Sequence, residues 1–109
     1  MKLLVVGSRG LKHIDVAPFV PEDTTLIISG GANGIDMEAE KYADRKRLSK
    51  IILRPEYSKF GKAAPLKRNE TMVEMCDSVL AIWDGQSKGT LYTINYAKKS
   101  GKPVKIIEM

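Results

Sequence analysis

The chain has 109 residues, 43% of them hydrophobic, and a formal net charge of +5 at pH 7. This length suits one domain, residues 1–109, with a single modest core. No apolar run approaches the roughly 18 residues of a membrane span, and the apolar stretch Met1–Gly7 is too short for a signal peptide. We therefore expect a cytoplasmic protein with no membrane partner.

Histidine and cysteine each occur once, as His13 and Cys76. This scarcity argues against a multi-histidine or thiolate metal site, so we predict no metal. Cys76 lies on the apolar side of a predicted helix, which favours inert packing over a reactive thiol. The positive net charge suits an anionic ligand or nucleic acid. The lysines and arginines are scattered along the chain, however, and fit a plain solvated surface equally well.

Apolar runs predict five strands, and helical periodicity between them predicts four helices. The predicted strands are 2–6, 24–28, 50–54, 78–83 and 103–107. The predicted helices are 12–19, 34–47, one from Pro65 to Cys76, and 90–100, with Gly101 as a C-terminal cap. The apolar stripes of the last two helices place Leu66 and Leu91 inward. Residues 55–65 lack periodicity and predict a long loop, of a kind that often carries function.

Regular alternation of strand and helix predicts an α/β fold. The strands are apolar without a break, which indicates a parallel sheet covered on both faces. We expect a three-layer, doubly wound, parallel five-stranded sheet in the order 3-2-1-4-5. Right-handed crossovers then bring every strand-to-helix loop to one edge of the sheet, where ligands bind at the point of strand-order reversal.

The turn from Ser29 to Asp36 joins the second predicted strand to a helix and contains three glycines. Such a turn aims backbone N–H groups and the positive end of a helix dipole at one point, which suits a phosphate. It nearly matches the dinucleotide fingerprint, but the acidic residue expected roughly 20 positions on is missing. Arg54 stands in that region instead, which argues against ordinary NAD. The alternative is that these glycines only make a tight turn.

A second glycine loop, Gly85–Thr90, precedes the last predicted helix. Ser87 or Thr90 can cap that helix or donate to a second phosphate. Arg68 and Asn69 fall in the first turn of the preceding helix, where the arginine either faces the ligand edge or is solvated. Tyr57 and Phe60, in the long loop, can stack on a base or simply cover the core.

These segments together resemble the SLOG superfamily of Rossmann-like domains. The matching residues are Val6-Gly7-Ser8-Arg9, Ile28–Asp36, Arg68-Asn69 and Ser87–Thr90, in the right order over nearly the whole chain. The superfamily includes the lonely-guy cytokinin-activating phosphoribohydrolases and the DNA-processing protein A family. The tract from Tyr57 to Asn69 looks most like a small, stand-alone, largely uncharacterised branch.

The resemblance implies binding of a nucleotide or nucleotide-derived ligand at the glycine-rich edge, for example as a sensor, with no cofactor required. It also implies a homodimer or higher homo-oligomer, since related domains pair through their outer helices. The expected ligand-binding residues are Gly7, Ser8, Arg9, Gly30, Gly31, Asn33, Gly34, Asp36, Arg68, Asn69, Ser87, Gly89 and Thr90. Within this set, Asp36 would hold a sugar hydroxyl or order the glycine turn.

Two alternatives follow from the same resemblance. One is an enzyme that cleaves a nucleotide N-glycosidic bond, with Arg68 assisting. The glutamate of lonely-guy enzymes falls on Thr93, which has no carboxylate to stabilise a cationic transition state, and this argues against the activity. The other is a single-stranded DNA-binding module, which the basic charge and the DNA-processing motifs favour, while the small size counts against it.

Overall fold

The computed structural model describes every residue, Met1–Met109. Its strands are β1 (Lys2–Gly7), β2 (Leu26–Ser29), β3 (Ser49–Ile52), β4 (Ser78–Trp83) and β5 (Val104–Glu108). Its helices are α1 (Ile35–Arg45), α2 (Tyr57–Phe60), α3 (Ala64–Met75) and α4 (Lys88–Lys99), and 3-10 turns occupy Ala17–Phe19 and Gly61–Ala63. No helix combines the length and apolarity that a membrane crossing requires.

The five strands form one all-parallel sheet in the order β3-β2-β1-β4-β5, as predicted. Strand β1 is central and pairs with β2 on one side and β4 on the other; Leu4, for example, lies opposite both Ile28 and Val79. The chain runs outward from β1 to β3 and then crosses back to β4. The strand order therefore reverses between β1 and β4, which confirms a doubly wound, Rossmann-like α/β fold.

Alternate residues of the central strand enter two separate cores, one on each face of the sheet. Leu3 and Val5 pack against the inner side of α1, and Leu4 and Val6 pack against α3 and α4. This two-sided burial explains why β1 is apolar without a break. Cys76 lies in the second core at 1% exposure, as predicted, and burial raises the pKa of its thiol.

Several predicted boundaries were wrong. Residues 12–19 form a helix only at the 3-10 turn Ala17–Phe19, because prolines 18 and 21 break the pattern. The predicted strand 50–54 runs instead from Ser49 to Ile52, and α1 ends at Arg45 rather than at residue 47, where the backbone turns to φ 56°. The long loop 55–65 is ordered as α2 and the following 3-10 turn, which lead directly into α3.

The predicted apolar stripes of the last two helices were wrong in one position each. Leu66 and Leu91 are both 38% exposed. On α4, Thr90 and Thr93 are buried instead, because this side of the helix faces α3, where Asn69 donates to Thr93 Oγ1. Because α3 begins at Ala64 and not at Pro65, Arg68 lies in the second turn of this helix and not in the first. Both threonines also line the candidate site.

Candidate functional site

A cleft opens at the carboxyl edge of the sheet, between the ends of β1 and β4. The cleft has a volume of about 120 Å³ and opens to solvent at its mouth. Segments that follow three different strands line it, together with one face of α3. The lining residues are Val6, Gly7, Arg9, Ala32, Asn33, Asp36, Pro65, Leu66, Arg68, Asn69, Met72, Ser87, Gly89, Thr90 and Thr93. The cleft therefore occupies the position where doubly wound proteins bind ligands.

Arg68 is held in the wall of the cleft by backbone carbonyls. Its Nη1 donates to the oxygen of Gly30 at 2.8 Å and to that of Leu53 at 3.2 Å, just beyond the ends of β2 and β3. Its Nε donates to Asn69 Oδ1 at 2.8 Å. Burial lowers the pKa of the guanidinium, and the carboxylate of Asp36 opposes that shift. Arg68 thus carries a fixed positive charge beside the cleft.

Asp36 lies on α1 on the other side of Gly30. Its Oδ2 accepts a hydrogen bond from the N–H of Ala32 at 3.1 Å. Burial raises the pKa of this carboxyl from 3.8 to about 6, while the Ala32 hydrogen bond and Arg68 work against the rise. Asp36 and Arg68 make no direct ion pair, since the structure contains no oxygen–nitrogen contact within 4.0 Å between them.

The glycine turn after β2 satisfies its own N–H groups with side chains of the protein. The N–H of Gly31 donates to Ser29 Oγ at 3.2 Å, and that of Ala32 donates to Asp36. Ser29 Oγ in turn donates to Glu40 Oε2 at 2.9 Å. The Ser29 hydroxyl and the Asp36 carboxylate therefore take two of the N–H groups that the sequence suggested for a phosphate.

The beginning of α4 forms the opposite wall of the cleft. Ser87 caps this helix, because its Oγ accepts from the N–H of Thr90 at 3.4 Å. Asp84 Oδ1 accepts from the N–H of Ser87 at 2.8 Å, which fixes the loop before the helix. The N–H groups of Lys88 and Gly89 belong to the first turn and have no acceptor within the helix. This wall consequently offers hydrogen-bond donors and the positive end of a helix dipole.

A chain of hydrogen bonds connects the two sides of the cleft. Asn69 accepts from Arg68 and donates through Nδ2 to Thr93 Oγ1 at 2.9 Å. The hydroxyl of Thr93 donates to the carbonyl of Gly89 at 3.1 Å, so this hydroxyl has both a donor and an acceptor as partners. The guanidinium is thereby coupled to the first turn of α4. Thr93 is 1% exposed, so a glutamate at that position would have to enter a packed site.

The structure brings nine of the expected binding residues together in the cleft: Gly7, Arg9, Asn33, Asp36, Arg68, Asn69, Ser87, Gly89 and Thr90. Four others, Ser8, Gly30, Gly31 and Gly34, do not line it. Ser8 is 1% exposed and its Oγ accepts from the N–H of Asp84 at 3.1 Å, so it joins two loops. Gly30 and Gly34 lie where neighbouring atoms leave no room for a side chain. A Cβ on Gly30 would lie 2.6 Å from Arg68 Nη1, and one on Gly34 would lie 2.7 Å from the carbonyl oxygen of Leu11.

Sequence reasoning did not find the apolar floor of the cleft. The lining residues that it missed as ligand contacts are Val6, Ala32, Pro65, Leu66, Met72 and Thr93. Val6 and Ala32 stand inside the motifs that carry the resemblance, and Thr93 was considered only as the position of a missing glutamate. Pro65, Leu66 and Met72 gave no signal beyond their proximity in the chain to the motifs. Tyr57 and Phe60 lie outside the cleft, and Phe60 instead borders a neighbouring groove on the far side of Arg68. No group of three or more histidine, cysteine, aspartate or glutamate side chains lies close enough to hold a metal ion.

Fold and cleft together define a Rossmann-like α/β protein with a polar cleft at its strand-order reversal. A search of curated proteins finds similarity to an uncharacterized SPbeta prophage-derived protein, YoqJ, of Bacillus subtilis strain 168. The two are 42% identical over 41 residues, a match that covers 38% of this chain and 24% of the length of that protein. No protein-family model matches the chain, and no solved structure matches it.

Proposed function

We propose that this protein binds a nucleotide or nucleotide-derived small ligand in the cleft between β1 and β4, as its resemblance to the SLOG superfamily implies. The observation that carries the proposal is the pairing of a fixed guanidinium, Arg68, with the open first turn of α4 across one cleft. Both are groups that stabilise a phosphate. The cleft that they border lies at the strand-order reversal, where such ligands bind in doubly wound sheets.

The phosphate would bind against α4 rather than in the glycine turn after β2. Ser29 and Asp36 already take the N–H groups of Gly31 and Ala32, and the Asp36 carboxylate repels a second anion. The first turn of α4 carries no acidic residue, and the N–H groups of Lys88 and Gly89 are available there. Arg9, exposed at the edge of the cleft, adds a second positive charge.

We favour a small ligand over a nucleic acid because part of the basic surface is neutralised locally. Four basic side chains are paired with carboxylates: Lys41 with Glu38, Arg45 with Asp15, Lys50 with Asp44 and Lys67 with Glu70. Three of these pairs lie on or beside α1 and away from the cleft. Local pairing of this kind weakens the continuous basic track on which single-stranded nucleic-acid binding depends.

The test is calorimetric titration with inorganic phosphate and with nucleoside 5′-mono-, di- and triphosphates, supported by thermal melts. A ligand at about 100 times its dissociation constant adds roughly 2.7 kcal/mol of stability, which for a domain of this size is a shift of about 10 °C or more. We expect a nucleotide to reach this shift. Failure of every nucleotide to bind at millimolar concentration would contradict the proposal.

Gly89→Asp is the diagnostic variant. A Cβ at Gly89 meets nothing within 4 Å, so the fold accommodates the side chain, and an acid in the first turn of a helix is favourable. The same carboxylate would repel a phosphate from α4, and we expect at least a tenfold loss of affinity. Gly10→Asp is the matched control, because Gly10 is equally open but does not line the cleft. Equal affinity in the two variants would place the phosphate elsewhere.

Hydrolysis of a nucleotide N-glycosidic bond is a second candidate, and Asp36 is the observation that favours it. A carboxyl with a pKa near 6 in a ligand cleft is suited to proton transfer at neutral pH. In this reaction water adds to the anomeric carbon and the base leaves with a proton. We expect any base release from nucleoside 5′-monophosphates to disappear in Asp36→Ala, and release that survives this change would exclude Asp36 from the chemistry.

A further inference from the structure

We propose that the base of the ligand lies outside the cleft, in a second groove between α1 and the segment that follows β1. This inference rests on the proposed function and assigns a base-binding subsite to the same ligand. Lys12 and His13 line the groove on one side, and residues of α1, among them Met37 and Lys41, line it on the other. Asn33 lines both the cleft and the groove, so the two depressions adjoin at that side chain.

The volumes of the two depressions limit what each can hold. The cleft measures about 120 Å³ and the groove about 240 Å³, and both open to solvent. Sites for small organic ligands commonly measure about 300–1,000 Å³. The cleft alone is below this range, whereas cleft and groove together reach it. The cleft has room for a phosphate and part of a sugar, and the base must then lie beyond it.

The packing of the segment after β1 determines where the groove lies. The turn from Ser8 to Leu11 is closed by a hydrogen bond from the N–H of Leu11 to the Ser8 carbonyl at 3.1 Å. The Leu11 carbonyl oxygen lies so close to Gly34 that a Cβ on the glycine would be 2.7 Å from it. This contact holds the turn against the start of α1. Within the same segment Arg9 lines the cleft and Lys12 lines the groove, so one ligand can contact both residues.

The groove offers contacts to both the face and the edge of a base. Met37 is 43% exposed, and its thioether packs favourably against a π-ring. Asn33, at the junction, carries an amide that both donates to and accepts from the edge of a base. Lys12 and Lys41 supply ammonium groups, which are attracted to the face of a ring. Glu38 also lines the groove, but it lies 3.7 Å from the Lys41 ammonium, which offsets its charge.

The groove beside Phe60 is the alternative place for a base. Phe60 is an exposed aromatic side chain, and bases commonly stack on aromatic rings. That groove measures only about 60 Å³, against about 240 Å³ at Met37. Arg68 borders both it and the cleft and is fixed there by two backbone carbonyls, whereas Asn33 is an exposed side chain. Room and access therefore favour the groove at Met37.

The experiment compares ribose 5-phosphate with the 5′-monophosphates of adenosine, guanosine, cytidine and uridine by calorimetry on the full chain. The sugar phosphate contains the parts of these nucleotides other than the base. We expect the nucleotide that binds best to exceed ribose 5-phosphate in affinity by at least about tenfold. Equal affinity for ribose 5-phosphate and every nucleotide would overturn the inference and leave the phosphate site in the cleft intact. Absence of binding by all five compounds would overturn the proposed function as well.

Met37→Ala shows where the base lies. We expect this variant to lose about two- to tenfold in affinity for the nucleotide, while it binds ribose 5-phosphate as the wild type does. Met37 is exposed, so the fold tolerates the change, and a thermal melt verifies this. Phe60→Ala is the matched control, because Phe60 is 38% exposed and borders the other groove. Loss of nucleotide affinity in Phe60→Ala and not in Met37→Ala would overturn the inference.

Discussion

Arg68 and Asp36 lie on opposite sides of Gly30, and each is bonded to the chain rather than to the other. Arg68 Nη1 donates to the Gly30 carbonyl at 2.8 Å, and Asp36 Oδ2 accepts from the N–H of Ala32 at 3.1 Å. The two opposite charges are near enough to influence each other's pKa and remain outside ion-pair distance. The turn after β2 thus keeps a separated positive and negative charge at the edge of one cleft.

Gly30→Ala should destabilise the protein by about 1–2 kcal/mol. The new Cβ would lie 2.6 Å from Arg68 Nη1 and 3.0 Å from Asp36 Oδ2. The arginine would have to withdraw and give up its bond to the Gly30 carbonyl. Urea denaturation measures the loss, with Gly89→Ala as the control because a Cβ there meets nothing within 4 Å. Equal stability of the two variants would mean that Arg68 moves away without cost.

Gly34→Ala should cost more than Gly101→Ala, although both glycines have positive φ. Gly34 has φ 85° with ψ −125°, and Gly101 has φ 78°, so an alanine strains the backbone at both positions and more so at Gly34, whose ψ lies outside the left-handed helical region. At Gly34 the Cβ would also lie 2.7 Å from the carbonyl of Leu11, whereas it meets nothing at Gly101. We expect an additional loss of about 1–3 kcal/mol at Gly34. Similar urea midpoints for Gly34→Ala and Gly101→Ala would show that the Leu11 carbonyl does not exclude a side chain at Gly34.

Asp36→Asn should stabilise the protein at neutral pH. The folded-state pKa of Asp36, about 6, exceeds its ordinary value of 3.8, so the folded protein binds this proton more tightly than the unfolded chain does. The resulting stability is fully present below pH 3.8 and is lost as the pH rises through 6. A shift of about two units corresponds to roughly 3 kcal/mol.

Chemical denaturation from pH 4 to pH 8 measures this effect. Below pH 4 we expect wild type and Asp36→Asn to be similar, and the variant to gain on the wild type as the pH rises to 7. Glu38→Gln, on the same helix and outside the cleft, is the matched control. A constant difference between wild type and Asp36→Asn over the whole range would mean that Asp36 titrates normally.

Asn69 and Thr93 should show coupled energetics. Asn69 donates to Thr93 Oγ1 at 2.9 Å, and Thr93 is almost fully buried. Thr93→Val keeps the side-chain volume but leaves the Asn69 amide without its acceptor, and we expect a loss of about 1–3 kcal/mol. In a double-mutant cycle with Asn69→Ala, the coupling energy should be about 0.5–1.5 kcal/mol. Additive losses would show that the two side chains act independently.

The same pair bears on the resemblance to lonely-guy enzymes. Under the proposed resemblance, the glutamate of those enzymes falls on Thr93, whose hydroxyl is committed to Asn69 and to the Gly89 carbonyl. The packing of α3 against α4 therefore holds a threonine at this position. Asp36 is the one acidic side chain that lines the cleft.

The amino-acid sequence by itself determined the fold class, the strand order and the edge at which the cleft lies. Uninterrupted apolar strands, such as β1, require cover on both faces, and the alternation with helices leaves the doubly wound sheet as the consistent solution. The loops then meet at the carboxyl ends of the strands whatever their side chains are. For this reason nine of thirteen expected binding residues line the cleft.

Only the tertiary structure decided what those residues do. Arg68 bonds to Gly30 across 38 positions of sequence, and Asn69 bonds to Thr93 across 24. Such pairs depend on the distance and rotation at which α3 packs on the sheet and on α4, which periodicity alone does not determine. The glycine turn resembled an empty phosphate site because its sequence shows the N–H donors but not that Asp36, one helical turn away, folds back to satisfy them.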